Sequence, residues 1–275
     1  MATARAHRTL KELTELHAGA RPLEFVRLKR DRADEGGSSQ TGKNLKKGGA
    51  AQASPANTLR AVHISLGEVA QAAGSAYIEV GHAKLLCTVH GPRPDARAAH
   101  FSDQGRLVCQ VKFAAFSGVS EDEVEKLSRE LPMVIHPALE AAVQLSRFPK
   151  SLLEVHVLVL EEDGDVSSTA ITGASLALAD AGIEMFDLVA ACSVARSAGA
   201  KTELHVDPTS AQVAATASGG SITVAMMPAR GEITQLSHVG EWEPDQYEEA
   251  MDLGIEACKT LHTLMRQALI DSAQS

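Results

Sequence analysis

From Thr58 onward the chain reads as short strand-like runs that arrive in blocks, not in strict alternation with helices. That order constrains the fold more than any other feature. "HISLGEV", "SAYIEVG", "AKLLCTVHGP" and "GRLVCQVKFAAF" follow one another, each bounded by Gly, Pro or Asp. After a helical stretch comes "SLLEVHVLVL", then a second helix, then "LVAACSVA", "TELHVD", "SITVAMMP" and "EITQLSHVG". Runs of strands with a few long helices between them predict an α+β fold of mixed sheets with packed helices, and argue against a doubly wound sheet.

Three helices are predicted. Glu123 to Leu145 carries Val124, Leu127, Leu131, Val134, Ile135, Ala138, Leu139, Ala142 and Val143 at helical spacing, with Pro132 and Pro137 predicting a break or kink. A small-residue helix runs from about Thr169 to Ala181. The third, from about Asp245 to Ile270, is amphipathic, with Ala250, Leu253, Cys258, Leu261 and Met265 on its apolar side.

Charge divides the chain. Residues 1–60 hold 12 Lys and Arg against 6 Asp and Glu, a net of +6, which leaves −15 for residues 61–275 out of −9 for the whole. An acidic body repels a phosphate backbone on average, so contact with nucleic acid has to be local. Residues 36–56, "GGSSQTGKNLKKGGAAQASPA", lack the apolar content to order themselves. The expected division is therefore a basic, flexible N-terminal extension over 1–56 and one domain over 57–275. Arg5, Arg8, Lys11, Glu12 and Glu15 interrupt any secretory apolar segment, and the two acids argue against a mitochondrial presequence. No apolar run approaches the length of a membrane span, so no membrane partner is expected.

Several chemistries find no support. "GSSQTGKN" (Gly37 to Asn44) spells the phosphate-loop pattern, but Asn44 stands where Ser or Thr should ligate magnesium, and low-complexity sequence replaces the flanking strand and helix. The four cysteines form no C-x-x-C pair and the histidines no H-x-x-x-H or H-E-x-x-H spacing, so no metal is expected. No G-x-S-x-G elbow is present.

One stretch poses a question. In "LEEDGDVSSTAITGASLALADAG" (Leu160 to Gly182) a strand ends in a glycine-bearing loop that opens into a helix, a geometry that collects anions. Yet the loop carries Glu161, Glu162, Asp163 and Asp165 and no Lys or Arg. The residues alone suggest a solvated acidic turn.

"GSAYIEVGHAKLLCTVHGPR" (Gly74 to Arg93), "SRFPKSLLEVHVLVLEEDG", "AITGASLALADAGIEMFDLVAACSV" and "VAMMP" resemble, in order, segments of the RNase PH family, over roughly Thr58 to Ser275. "GEITQLSHVGEW" and the helix after it are similar to the C-terminal end of the mRNA-transport-type ring subunits of the eukaryotic RNA exosome. The resemblance implies an RNase PH-like domain and an origin for the acidic loop. Active members read approximately D-G-G-T-R-T-A-S-I-T-G-A there, and hold the inorganic phosphate that cleaves RNA. Asp163, Gly164, Ile171, Thr172, Gly173 and Ala174 match that pattern. Asp165 replaces the second glycine and Ser167 the phosphate-gripping arginine. The acid that active members carry before "MMP" falls at Ser221, while Asp207 keeps an upstream acid with nothing to work with. Losing the arginine removes a bidentate fork, and Asp165 adds like charge. The basic loop that threads RNA in the active subunit corresponds to the acidic "SGVSEDEVEKLSRE".

The resemblance thus implies a non-catalytic structural subunit of the exosome core ring, needing no cofactor. Its expected partners are paralogous RNase PH-like ring subunits, exosome cap proteins, and RNA through the assembled channel, in nucleus, nucleolus and cytoplasm. RNA contacts are expected at Arg93, Arg97, Arg106 and Lys112. The alternatives are an active phosphate-dependent exoribonuclease of the same fold, opposed by Ser167 and Ser221, and a nucleotide-binding module using Gly37 to Asn44.

Overall fold

A computed structural model describes residues 59–95, 103–197, 203–215 and 220–274. The expectations for the extension and for Gly37 to Asn44 lie outside the described residues. The elements run β1 (Val62–Leu66), β2 (Gly74–Val80), β3 (Ala83–Pro94), β4 (Arg106–Phe113), α1 (Glu121–Glu140), β5 (Ser151–Glu161), α2 (Val166–Asp180), β6 (Ala190–Arg196), β7 (Leu204–Val206), α3 (Ser210–Ala215), β8 (Ser221–Met227), β9 (Glu232–Val239) and α4 (Pro244–Gln274). They form a five-stranded sheet of order β1-β2-β3-β5-β4 and a four-stranded sheet of order β7-β6-β8-β9. Every pairing is antiparallel except β4 with β5, which α1 connects as a crossover.

Alternation sets the faces. In β3 and β5 the register pairs Leu85 with Val159, Cys87 with Val157 and Val89 with Val155, and all six side chains are buried. The intervening Leu86, Thr88, His90, Glu154, His156 and Leu158 are half-buried on the opposite face. The buried face packs against α2, in which 12 of 15 residues are buried, so that helix has no solvent side. Small residues let both sheets approach it. A Cβ on Gly173 would lie 2.9 Å from Cys87 Sγ. On the other side Thr172 Oγ1 accepts from Ala191 N at 3.1 Å, and Ser175 Oγ accepts from Val189 N at 2.8 Å. The amphipathic α4 packs against β6 and β8, burying Ala250, Leu253, Gly254, Ala257, Cys258, Leu261, His262 and Met265.

Two expectations about helices are corrected. α1 runs unbroken through Pro132 and Pro137 and ends at Glu140. Leu131, Ile135, Ala138 and Leu139 are buried along it, and that anchoring outweighs two missing backbone donors. Both prolines sit half-exposed beside Met133, which is 75% exposed, on a side where water reaches the helix. α2 begins at Val166, three residues before Thr169, because Asp165 caps it.

Candidate functional site

The β5–α2 loop is built around Gly164 and Asp165. Gly164 has φ +97°, and a Cβ there would lie 2.1 Å from the Pro208 carbonyl oxygen, so only glycine fits. Asp165 follows in extended conformation as the N-cap of α2. Its carboxylate accepts from Ser167 N at 3.0 Å, from the Ser167 hydroxyl, and from Thr223 Oγ1 of β8 at 2.9 Å. Its carbonyl accepts from Ser168 Oγ at 3.1 Å. The positive end of the helix thus already holds a negative charge supplied by the chain.

The other loop carboxylates have separate surroundings, which corrects the reading of a solvated acidic turn. Glu161 ends β5 and accepts from Lys84 Nζ at 2.8 Å near the surface. Asp163 is buried. One of its oxygens accepts from Ser210 N at 3.0 Å and the other from Arg60 Nη1 at 3.0 Å. Glu162 is half-buried, and its carboxyl is pushed above the usual range first by burial, then by Glu123 and Asp163. Glu123, in the first turn of α1, therefore lies close enough to this loop to be felt.

Asp207 is also partnered, against expectation. Arg60 grips it bidentately, Nε to Oδ2 at 2.8 Å and Nη2 to Oδ1 at 2.6 Å, while Nη1 also donates to the Asp163 carbonyl at 2.9 Å. Burial by itself would lower the guanidinium pKa, but the hydrogen bond and charge of Asp207, then the charge of Asp163, outweigh it and leave the pKa raised. One arginine thus clasps the start of the domain, the acidic loop and the turn after β7. Arg60 and Thr223 escaped the sequence analysis. The bonds of Arg60 span 103 and 147 residues and leave no local signature.

The structure brings Asp165 and Ser167 into direct contact, and links Asp207 to the loop through Arg60, which also bonds Asp163. Ser221 opens β8 between Ala195 and Val239, on the face it shares with Thr223. Of the residues expected to touch RNA, Arg97 lies outside the described residues. Arg93 pairs with Glu154, Arg106 lies 3.8 Å from Asp95, and Lys112 is exposed. Among the described residues no group of three or more His, Cys, Asp or Glu side chains could hold a metal, and no helix is long and apolar enough to cross a membrane. Burial raises the Cys87, Cys109 and Cys258 thiols to about 12, so none is a thiolate nucleophile near neutral pH.

Asp165→Ala is expected to cost about 1–2 kcal/mol, the usual range for an N-cap, with the bond from Thr223 also lost. Asp165→Asn should recover most of that loss. Urea denaturation of the two variants checks this, and an alanine variant as stable as the parent would mean that the cap contributes nothing.

Residues 58–184 match domain 1 of the 3' exoribonuclease (RNase PH) family, and residues 187–257 match domain 2. A human protein named exosome complex component MTR3 is 37% identical over 236 residues, covering 78% of this chain and 84% of its own. An Arabidopsis thaliana protein named exosome complex component RRP41-like is 40% identical over 212 residues, covering 77% of this chain and 80% of its own. The crystal structure of rice Rrp46 superposes with a TM-score of 0.68 over 78% of this chain and 98% of that one; at 21% identity it speaks for the fold. Two matched domains in order, two relatives similar over most of their length and a shared architecture lead to one conclusion: the chain belongs to the RNase PH family of 3' exoribonucleases.

Proposed function

We propose that the chain is a non-catalytic ring subunit of the RNA exosome core. The observation that carries this is the Asp165 carboxylate, which takes the hydrogen bonds at the N-terminus of α2. By the family resemblance this is where active members bind phosphate. A phosphate entering here would meet a carboxylate already hydrogen-bonded in place, and Ser167 instead of an arginine fork. The second acid is also committed, since Asp207 neutralises Arg60. The relatives named as exosome components support the assembly. The outer edges of β4 and β9 support it too, because neither has a strand partner among the described residues and open edges call for covering. In this reading the chain joins paralogous ring subunits, supports cap proteins and a separate nuclease, and lines part of an RNA channel. The complex works in RNA processing and decay in nucleus, nucleolus and cytoplasm.

The full chain, incubated with single-stranded RNA, phosphate and magnesium, is expected to release no nucleoside diphosphates above a blank. Release that scales with phosphate concentration, and persists when the protein is purified through a second affinity step, would establish the active alternative.

A further inference from the structure

We propose that the outer face of α4 is a docking surface for the chain's own N-terminal extension, with Lys43, Lys46 and Lys47 pairing with a stripe of carboxylates. Helical spacing sets the stripe. Asp245, Glu249, Asp252 and Glu256 follow at steps of four, three and four residues, and Glu248 stands beside them. All five are exposed, and Ala250, Leu253, Ala257, Leu261 and Met265 are buried on the opposite side. Three pairs, Asp245 with Glu249, Glu248 with Asp252 and Asp252 with Glu256, are like charges four residues apart and repel. Neighbouring cations do not balance them. From Glu241 to Cys258 there are seven acids and no Lys or Arg. Lys259 follows Glu256 on the same side. Arg196 stands at the helix start, where it donates to Gln246 Oε1 at 3.0 Å and lies 5.4 Å over the Trp242 ring. With both counted, seven acids against two cations leave the face at −5.

The extension has the complementary charge and the right origin. Residues 36–58 hold Lys43, Lys46 and Lys47 and no Asp or Glu. The described chain begins at Leu59, which lines a small cavity together with Leu261 of α4, and β1 just after it packs on the same helix. Lys47 is 12 residues before Leu59. A Gly- and Ala-rich tether of that length reaches about 20 Å on average and about 40 Å when extended. Along the helix axis Glu256 is about 8 Å from Leu261 and Asp245 about 24 Å, and the helix is about 10 Å across. The whole stripe is within reach. The tether also holds the lysines at an effective concentration of about millimolar. Surface pairs that are weak singly then suffice together to populate the docked form at low salt. The contact is intramolecular, so it stands or falls independently of the exosome reading.

The test uses the full chain and limited trypsin digestion, with cuts after Lys43, Lys46 and Lys47 followed by mass spectrometry. An isotope-labelled peptide of residues 36–58, digested in the same tube, corrects for the effect of salt on trypsin. At about 0.05 M salt the chain should be cut about three- to tenfold more slowly than the peptide, the combined effect of three weak surface pairs, and at about 0.5 M the rates should converge. Glu248→Gln with Asp252→Asn and Glu256→Gln should remove most of that protection and leave the fold intact, because all three side chains are exposed. Glu121→Gln with Asp122→Asn, in the first turn of α1, should leave the protection unchanged. Zero-length carbodiimide coupling at low salt should join the three lysines to carboxylates of the stripe within one chain. Equal rates for chain and peptide at low salt overturn the proposal, and so does protection that survives high salt or the α4 variant. Loss of protection in the α1 variant alone also overturns it, by moving the extension to that helix. Links found only between chains, in a mixture of light and heavy protein, overturn it in favour of a second copy.

Discussion

Arg60→Ala is expected to destabilise the domain by about 3–5 kcal/mol, the usual consequence of removing one partner from a buried ion pair. Arg60 is 8% exposed, Asp163 9% and Asp207 7%, so water offers the orphaned carboxylates little compensation. The guanidinium makes three side-chain bonds of 2.6 to 3.0 Å to these acids, and no other cation among the described residues pairs with both. Denaturant titration followed through the fluorescence of Trp242, the one tryptophan, measures the loss. A triple variant, Arg60→Met with Asp163→Asn and Asp207→Asn, should recover part of it, because no buried charge is then left alone. A loss below about 1 kcal/mol in Arg60→Ala would mean that the clasp is solvated in solution.

Gly74→Ala should be as damaging for a different reason. Gly74 opens β2, and a methyl there would lie 2.2 Å from Ala181 N and 2.5 Å from the Ala177 carbonyl oxygen. These are backbone atoms of the last turn of α2 and its cap, so no rotamer change relieves the overlap. The next residue is tied to the same turn, with Ser75 N donating to Asp180 Oδ2 at 2.8 Å. The helix must shift against both sheets, at a cost of about 3 kcal/mol or more. Gly118→Ala is the reference: it meets nothing within 4 Å and carries only the strain of φ +84°, about 1–2 kcal/mol. If Gly74→Ala costs no more than Gly118→Ala in the same denaturation assay, the contact between β2 and α2 is looser than described.

Local pattern sufficed for the fold class and for the faces of the strands. The alternation in "SAYIEV" and "LLEVHVLVLE" is a period of two, and it survives folding because each strand needs only one apolar face to find the core. The small residues of "AITGASLALAD" mark a helix that neighbours can approach closely, and family resemblance over the same segments specified the domain. The site was half legible. Asp165 and Ser167 could be singled out because they interrupt a known pattern, and the capping bond between them spans two residues. Propensity misjudged α1, since the two prolines are local costs and the burial that overrides them is tertiary.

Only the tertiary structure decided where the charges go. Four neighbouring carboxylates look alike in sequence. The fold gives Glu161 a surface lysine, Glu162 a place facing α1, Asp163 a buried arginine and Asp165 a helix terminus. It turns Asp207 from an unpartnered acid into the counter-charge of Arg60, and it sets Arg93 and Lys112 on one face with two histidines. The physical reason is the range of the interactions. Periodicity and capping act over a few residues and are written in the chain. Ion pairs 103 and 147 residues apart, and a face assembled from three strands, depend on which strands pair, so their partners have no local trace.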